Sequence, residues 1–194
     1  MTDLVERLVP DELWVLFRRV VPPTEVRRPQ GGGRRRAGDR ETLAAIIFVA
    51  TSGCTWRQLP PVFGPAWSTV YRRFAQWSRA RVWARLYRVV LDELGARGEL
   101  DWSRCAIDSV SVRAAKGGDH LRRWLRKRGI RHRIARKGIE SSTRLGRHRW
   151  VVERTVSWLA GCRRLHRRYE RKAEHFLAFV GIAATLIGYR RLTK

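Results

Sequence analysis

Apolar positions recur at helical spacing through the first hundred residues, and Pro and Gly punctuate them. Val5, Leu8, Leu13, Trp14, Leu16, Phe17 and Val20 form a stripe over 3–21, breakable at Pro10 with Asp11 as a fresh cap and ended by Pro22-Pro23. Leu43, Ile46, Ile47, Val49 and Ala50 predict a second helix, Arg40–Thr51, capped by Asp39 and stopped by Gly53. Thr55 and Gln58 have capping-box spacing for a short turn carrying Trp56 and Leu59, halted by Pro60-Pro61. Ser68 or Thr69 caps a third helix holding Val70, Tyr71, Phe74 and Trp77, with Arg72, Arg73 and Gln76 outward. A further helix runs from about Arg81 to Leu94 and ends at Gly95.

The pattern changes at Asp101. Arg104–Val112 alternates in part and reads as a strand, with Asp108 near its end. Lys116-Gly117-Gly118 breaks it, Asp119 caps a basic helix His120–Lys127, and Ile130–Ile134 is a short strand candidate. Trp150–Leu159 predicts a helix, Arg163–Arg168 an Arg-rich turn, and Glu174–Tyr189 a last helix, apolar nearly all round and so buried. The expected fold is mainly α with a small β component, divided into a helical domain over 1–95 and a second domain over 96–194.

Charge narrows the partners. The 194 residues carry 42 Lys plus Arg against 17 Asp plus Glu, a net +25, and 37 of the bases are Arg. Residues 1–100 hold 17 bases and 10 acids; residues 101–194 hold 25 bases and 7 acids. Such a surplus opposes compaction unless counter-charge arrives, and nucleic-acid phosphate is the obvious source. Hydrophobic residues reach 44% with nine Trp, which excludes disorder throughout. No apolar run is long enough for a membrane span, no secretory leader is expected, and three Cys without CxxC spacing make neither a disulfide framework nor a zinc site. The expected location is cytoplasmic, associated with the nucleoid.

Several residues carry candidate chemistry. Arg40–Ser78 reads either as a helix-turn-helix, exposing Arg72, Arg73 and Gln76 to a major groove, or as an ordinary bundle with a solvated Arg face. Residues 27–38 are Gly-rich and basic. There Arg34, Arg35 and Arg36 either contact phosphate or the minor groove, or belong to a plain linker. Arg57, Arg163 and Arg164 complete the candidate DNA contacts. Asp108 closes an apolar strand and is either a turn-forming surface carboxylate or a cation ligand; Glu153 is either an ion-pair partner of Arg149 or a second ligand. Together, two carboxylates amid 25 bases fit a divalent-metal site for phosphoryl transfer.

Three stretches carry a resemblance. Ser52-Gly53-Cys54-Thr55-Trp56-Arg57-Gln58-Leu59-Pro60, with Phe63-Gly64, Thr69-Val70-Tyr71-Arg72-Arg73-Phe74 and Trp77, resembles the N-terminal domain of insertion-sequence-five family transposases, which are DDE recombinases of the insertion-sequence-four superfamily. Arg149 to Thr155, Trp158-Leu159, Arg163-Arg164-Leu165, Arg168-Tyr169-Glu170 and Phe176 to Phe179 are similar to that family's glutamate helix and the segment C-terminal to it. Asp108 to Ala114 looks like its first-aspartate strand.

The resemblance implies a ribonuclease-H-like α/β domain in which two Asp and one Glu hold Mg²⁺ or Mn²⁺. That domain cuts at terminal inverted repeats of double-stranded DNA and joins the ends to target DNA. Asp108 matches the first Asp, Glu153 the Glu, and Arg149 the arginine of the same helix. Only 44 residues separate Asp108 from Glu153, and Ala115 falls where the second Asp would stand. A truncated catalytic domain with impaired strand transfer is therefore expected, acting as a homo-oligomer or beside a full-length sibling. The alternatives are a non-catalytic DNA-binding repressor of an intact transposase and a remnant product whose Trp150–Leu159 and Phe176–Tyr189 faces lack a covering sheet.

Overall fold

The computed structural model describes residues 2–23, 36–100, 123, 126–129, 154–167 and 169–193. Regular structure there is helical: α1 (Thr2–Leu8), α2 (Asp11–Arg18), α3 (Asp39–Ser52), α4 (Trp67–Arg79), α5 (Val82–Ala96) and α6 (Ala173–Leu192), with 3₁₀ turns at Trp56–Gln58, Pro61–Phe63 and Arg163–Leu165. Residues 154–160 are also helical. The described part of the chain is thus mainly α, while the strands expected over Arg104–Val112 and Ile130–Ile134 lie outside the described residues.

Helix ends follow the punctuation with small displacements. Pro10 separates α1 from α2 and is itself the cap, since its fixed φ suits the position before a helix, so Asp11 falls in the first turn. Gly38 takes the cap position of α3, and Asp39 enters the first turn with its carboxylate free for Arg36 and Arg73. α4 starts at Trp67 behind Ala66, ahead of the expected Ser68 or Thr69, and α5 runs past Gly95 to Ala96. The Thr55/Gln58 turn forms as read: Gln58 Oε1 accepts the Thr55 N–H at 2.9 Å and its hydroxyl at 3.0 Å. Gly53 closes α3 at φ 73°, the left-handed conformation that costs a side chain energy and glycine almost none.

One compact unit comprises Met1–Leu94 together with Leu159–Lys194; a second comprises Gly95–Trp158. In the first, α3 is the central rod, buried from Thr42 through Ile47 and again at Val49 and Ala50. It packs against α1, α4, α6 and the 3₁₀ turns Pro61–Phe63 and Arg163–Leu165. Ring contacts run through the core: Phe17–Trp77 at 5.0 Å, Trp77–Trp83 at 5.8 Å and Phe74–Phe179 at 4.8 Å between centroids. Trp83 Nε1 donates to Ser78 Oγ at 3.1 Å, giving the buried indole the partner it requires. α6 reaches α5 closely because Gly188 lacks a side chain; a Cβ there would lie 2.7 Å from Val90 Cγ1.

The packing unit therefore crosses the sequence boundary at 95/96. The Phe176–Tyr189 segment is buried in this unit, as its all-round apolar pattern predicts: Ala178, Phe179, Ile182, Ala183 and Tyr189 are all core residues. Helices supply the cover that the remnant reading would leave absent. In the second unit, residues 126–127 are helical and Arg154 lies over the Trp158 ring at 4.7 Å.

Candidate nucleic-acid interface

α4 has one buried and one exposed side. Val70, Phe74, Trp77 and Ser78 face the core, and the 3.6-residue period turns Ser68, Arg72, Gln76 and Arg79 to solvent. Arg72 and Gln76, four apart, stand in register on that outer row as the sequence predicts. Arg73 does not. One residue further round, it sits against α3, with its side chain 12% exposed and Nη1 3.2 Å from Asp39 Oδ1. Its guanidinium also lies 5.7 Å from the Trp77 ring centre. Asp39 receives Arg36 as well, at 3.0 Å, and its carboxyl is raised above the ordinary value by burial, against the pull of Arg36.

The arginines beyond α4 divide the same way. Arg57 is exposed beside Trp67, 5.8 Å from the ring centre, and Arg163 is exposed next to Gly53. Arg164, its neighbour in sequence, is an internal residue. Its Nε lies 2.8 Å from Glu170 Oε1, and its Nη1 donates to the Cys54 carbonyl at 2.7 Å. Tyr169, Phe179 and Trp56 surround the guanidinium at 4.6, 5.4 and 6.0 Å. The sequence makes Arg73 and Arg164 candidate DNA contacts; in the structure both turn inward, where each meets a carboxylate that offsets the cost of removing a charge from water. Arg34 and Arg35 lie outside the described residues, as do Asp108, Arg149 and Glu153.

Two rings on α4 stand outside the core: Trp67, which the sequence does not single out, and Tyr71, which it places on the apolar stripe with Val70, Phe74 and Trp77. Trp67 is 41% and Tyr71 38% exposed, four residues apart along the edge of the outer row. Their i,i+4 spacing was the available signal, but the same spacing also marks a core stripe. Among the described residues no group of three or more His, Cys, Asp or Glu is placed to hold a metal ion, and no helix is long and apolar enough to cross a membrane.

Residues 9–87 match the family model "Putative transposase of IS4/5 family (DUF4096)", and residues 115–190 match "Transposase DDE domain". The chain is 36% identical to "Insertion element IS402 uncharacterized 16.2 kDa protein" of Burkholderia cepacia, over 72% of this chain and 91% of that protein. The chain belongs to the IS4/5 family of transposases. It is also 45% identical to "Putative transposase for insertion sequence element IS402" of the same organism, over 38% of this chain and 35% of that protein. "Uncharacterized protein y4sN" of Sinorhizobium fredii is 31% identical over 59% of this chain and 90% of its own length. No solved structure matches.

In this family member the DDE match takes in Arg149 and Glu153 and begins downstream of Asp108. The IS4/5 match and the last part of the DDE match meet in one compact unit, where Arg164 and Phe179 from the second close on Cys54 and Trp56 from the first.

Proposed function

We propose that this transposase homologue binds the inverted-repeat ends of an insertion sequence as double-stranded DNA and is impaired in strand transfer. Residues 1–95 carry the binding, and residues 96–194 are a shortened ribonuclease-H-like DDE domain. The observation that carries the binding is the outer row of α4, where Arg72, Gln76 and Arg79 are exposed on one side of the helix, with Arg57 against Trp67 at its first position, on a chain of net +25. Arg can take a guanine edge or a phosphate, and Gln an adenine edge. The connection between α3 and α4 spans 53–66, longer than the three or four residues of the usual helix-turn-helix, so the row docks with its own geometry.

Impairment follows from the carboxylate set. Asp108 and Glu153 are the residues this chain has for Mg²⁺ or Mn²⁺, and Ala115 stands at the position where the resemblance puts the second Asp. A divalent cation supplies charge stabilisation at the reacting phosphate in such centres. The test incubates the purified chain with inverted-repeat duplex and Mn²⁺. Binding that weakens steeply with salt, without nicking, is expected. Cleavage that disappears in Asp108→Ala would overturn the impairment.

A second reading is favoured by the closure of the first unit. Met1–Leu94 is completed by Leu159–Lys194 of the same chain. A protein so built can occupy element ends and compete with an intact sibling transposase in the cytoplasm, as a repressor. Reduced cleavage by the sibling as this chain is added is its signature.

A further inference from the structure

We infer that the Trp67–Tyr71 edge of α4, with Arg57 beside it, stacks an unpaired nucleobase, so that the surface takes single-stranded or frayed DNA as well as duplex. The inference rests on the DNA-binding reading above and names a second form of the same ligand. Its ground is the placement of two rings outside the core. Phe17, Phe74, Trp77 and Trp83 supply the packed aromatic contacts, and Trp67 stands outside that cluster at the solvent end of α4. Tyr71 is held from behind. Its ring makes T-shaped contacts with Trp56 at 5.4 Å and His175 at 5.9 Å, and the side chain nonetheless remains exposed.

The surroundings identify what would cover these rings. Arg57 lies over Trp67, and Arg72 comes directly after Tyr71 on the exposed row. An apolar protein partner would bring no charge to meet these arginines. A nucleotide brings both halves of the match: a flat π-face for the ring and a phosphate for the guanidinium. A base inside a duplex is already stacked and cannot offer its face, so the edge discriminates in favour of unpaired bases.

The experiment compares three labelled oligonucleotides of one sequence, about 16 nucleotides long: single strand, blunt duplex, and duplex with mismatched, frayed ends. Wild type, Trp67→Ala, Trp67→Phe and Arg72→Ala are titrated against each, with thermal melts as a check on folding. Trp67→Ala is expected to weaken single-strand and frayed-end binding by about tenfold while changing blunt-duplex binding by less than about twofold, and Trp67→Phe to retain most of the affinity. Equal losses on all three ligands, no loss on any, or a wild type that binds duplex alone overturns the stacking role and leaves the duplex reading intact. A wild type that binds none of them sinks both.

Discussion

Arg164 Nε lies 2.8 Å from Glu170 Oε1, and each side chain is 4% exposed. The pair joins the Arg163–Leu165 turn to the segment leading into α6, and through Nη1 Arg164 also holds the Cys54 carbonyl, 110 positions away. A charged pair at such depth is maintained only while both members are present.

Glu170→Gln is therefore expected to destabilise the protein by about 3–5 kcal/mol, because the Arg164 charge stays buried without its carboxylate. Replacing both residues by apolar ones of similar volume should recover much of that loss. Urea unfolding of the single and double variants checks this; a loss below about 1 kcal/mol in Glu170→Gln would show that water or another group satisfies Arg164.

Gly53→Ala should cost more than about 1 kcal/mol. The position combines φ 73° with a Cβ site 2.9 Å from Arg163 Cβ and 3.1 Å from the Arg163 carbonyl carbon. A neutral substitution in a thermal melt would mean that the Arg163 turn can move away freely.

Arg72→Ala and Arg73→Ala, adjacent in sequence, should behave oppositely. The first is expected to lower DNA affinity and leave the melting temperature unchanged. The second should lower the melting temperature, through the lost Asp39 pair, with little change in the salt dependence of binding. Band shifts over a salt series, run beside melts, separate the two.

His175 makes stability depend on pH. Burial pushes the imidazole below its ordinary value of 6.5; Glu174 and Glu170 pull it up, and Lys172 and Arg79 push it down. The unfolded ring thus binds a proton at higher pH than the folded one. Its contribution is intact above 6.5 and is lost as pH falls from there toward the folded value. Melting temperatures should drop between about pH 7 and pH 5, and His175→Leu should flatten that fall. An unchanged slope in the variant would assign the effect to another group.

Local rules reached the helices because the signals are local. Pro10, Gly53 and the Thr55/Gln58 pair act within a few residues, so their elements appear where they are read, displaced by a position or two at the caps. The outer row of α4 was legible for the same reason: Arg72 and Gln76 follow from the period once Val70, Phe74 and Trp77 define the inner side. Arg73 and Trp67 sit at the edges of that helix, where a turn of some tens of degrees moves a side chain between core and solvent. Periodicity alone does not resolve so small an angle.

The amino-acid order alone settles three things: the helices on either side of the Gly-rich stretch in the first hundred residues, a net charge of +25, and motifs that belong to a transposase family. Each depends on neighbours along the chain or on a simple sum. Which of Arg163 and Arg164 faces water, and which helices cover α6, was decided by the folded arrangement. The physical reason is that burying a charge or an apolar face requires partners, and here several of them come from far along the chain. Arg164 is inside because Glu170 meets its charge while Cys54 and Trp56, far earlier in the chain, complete its surroundings, and α6 is inside because it packs against α3, α4 and α5.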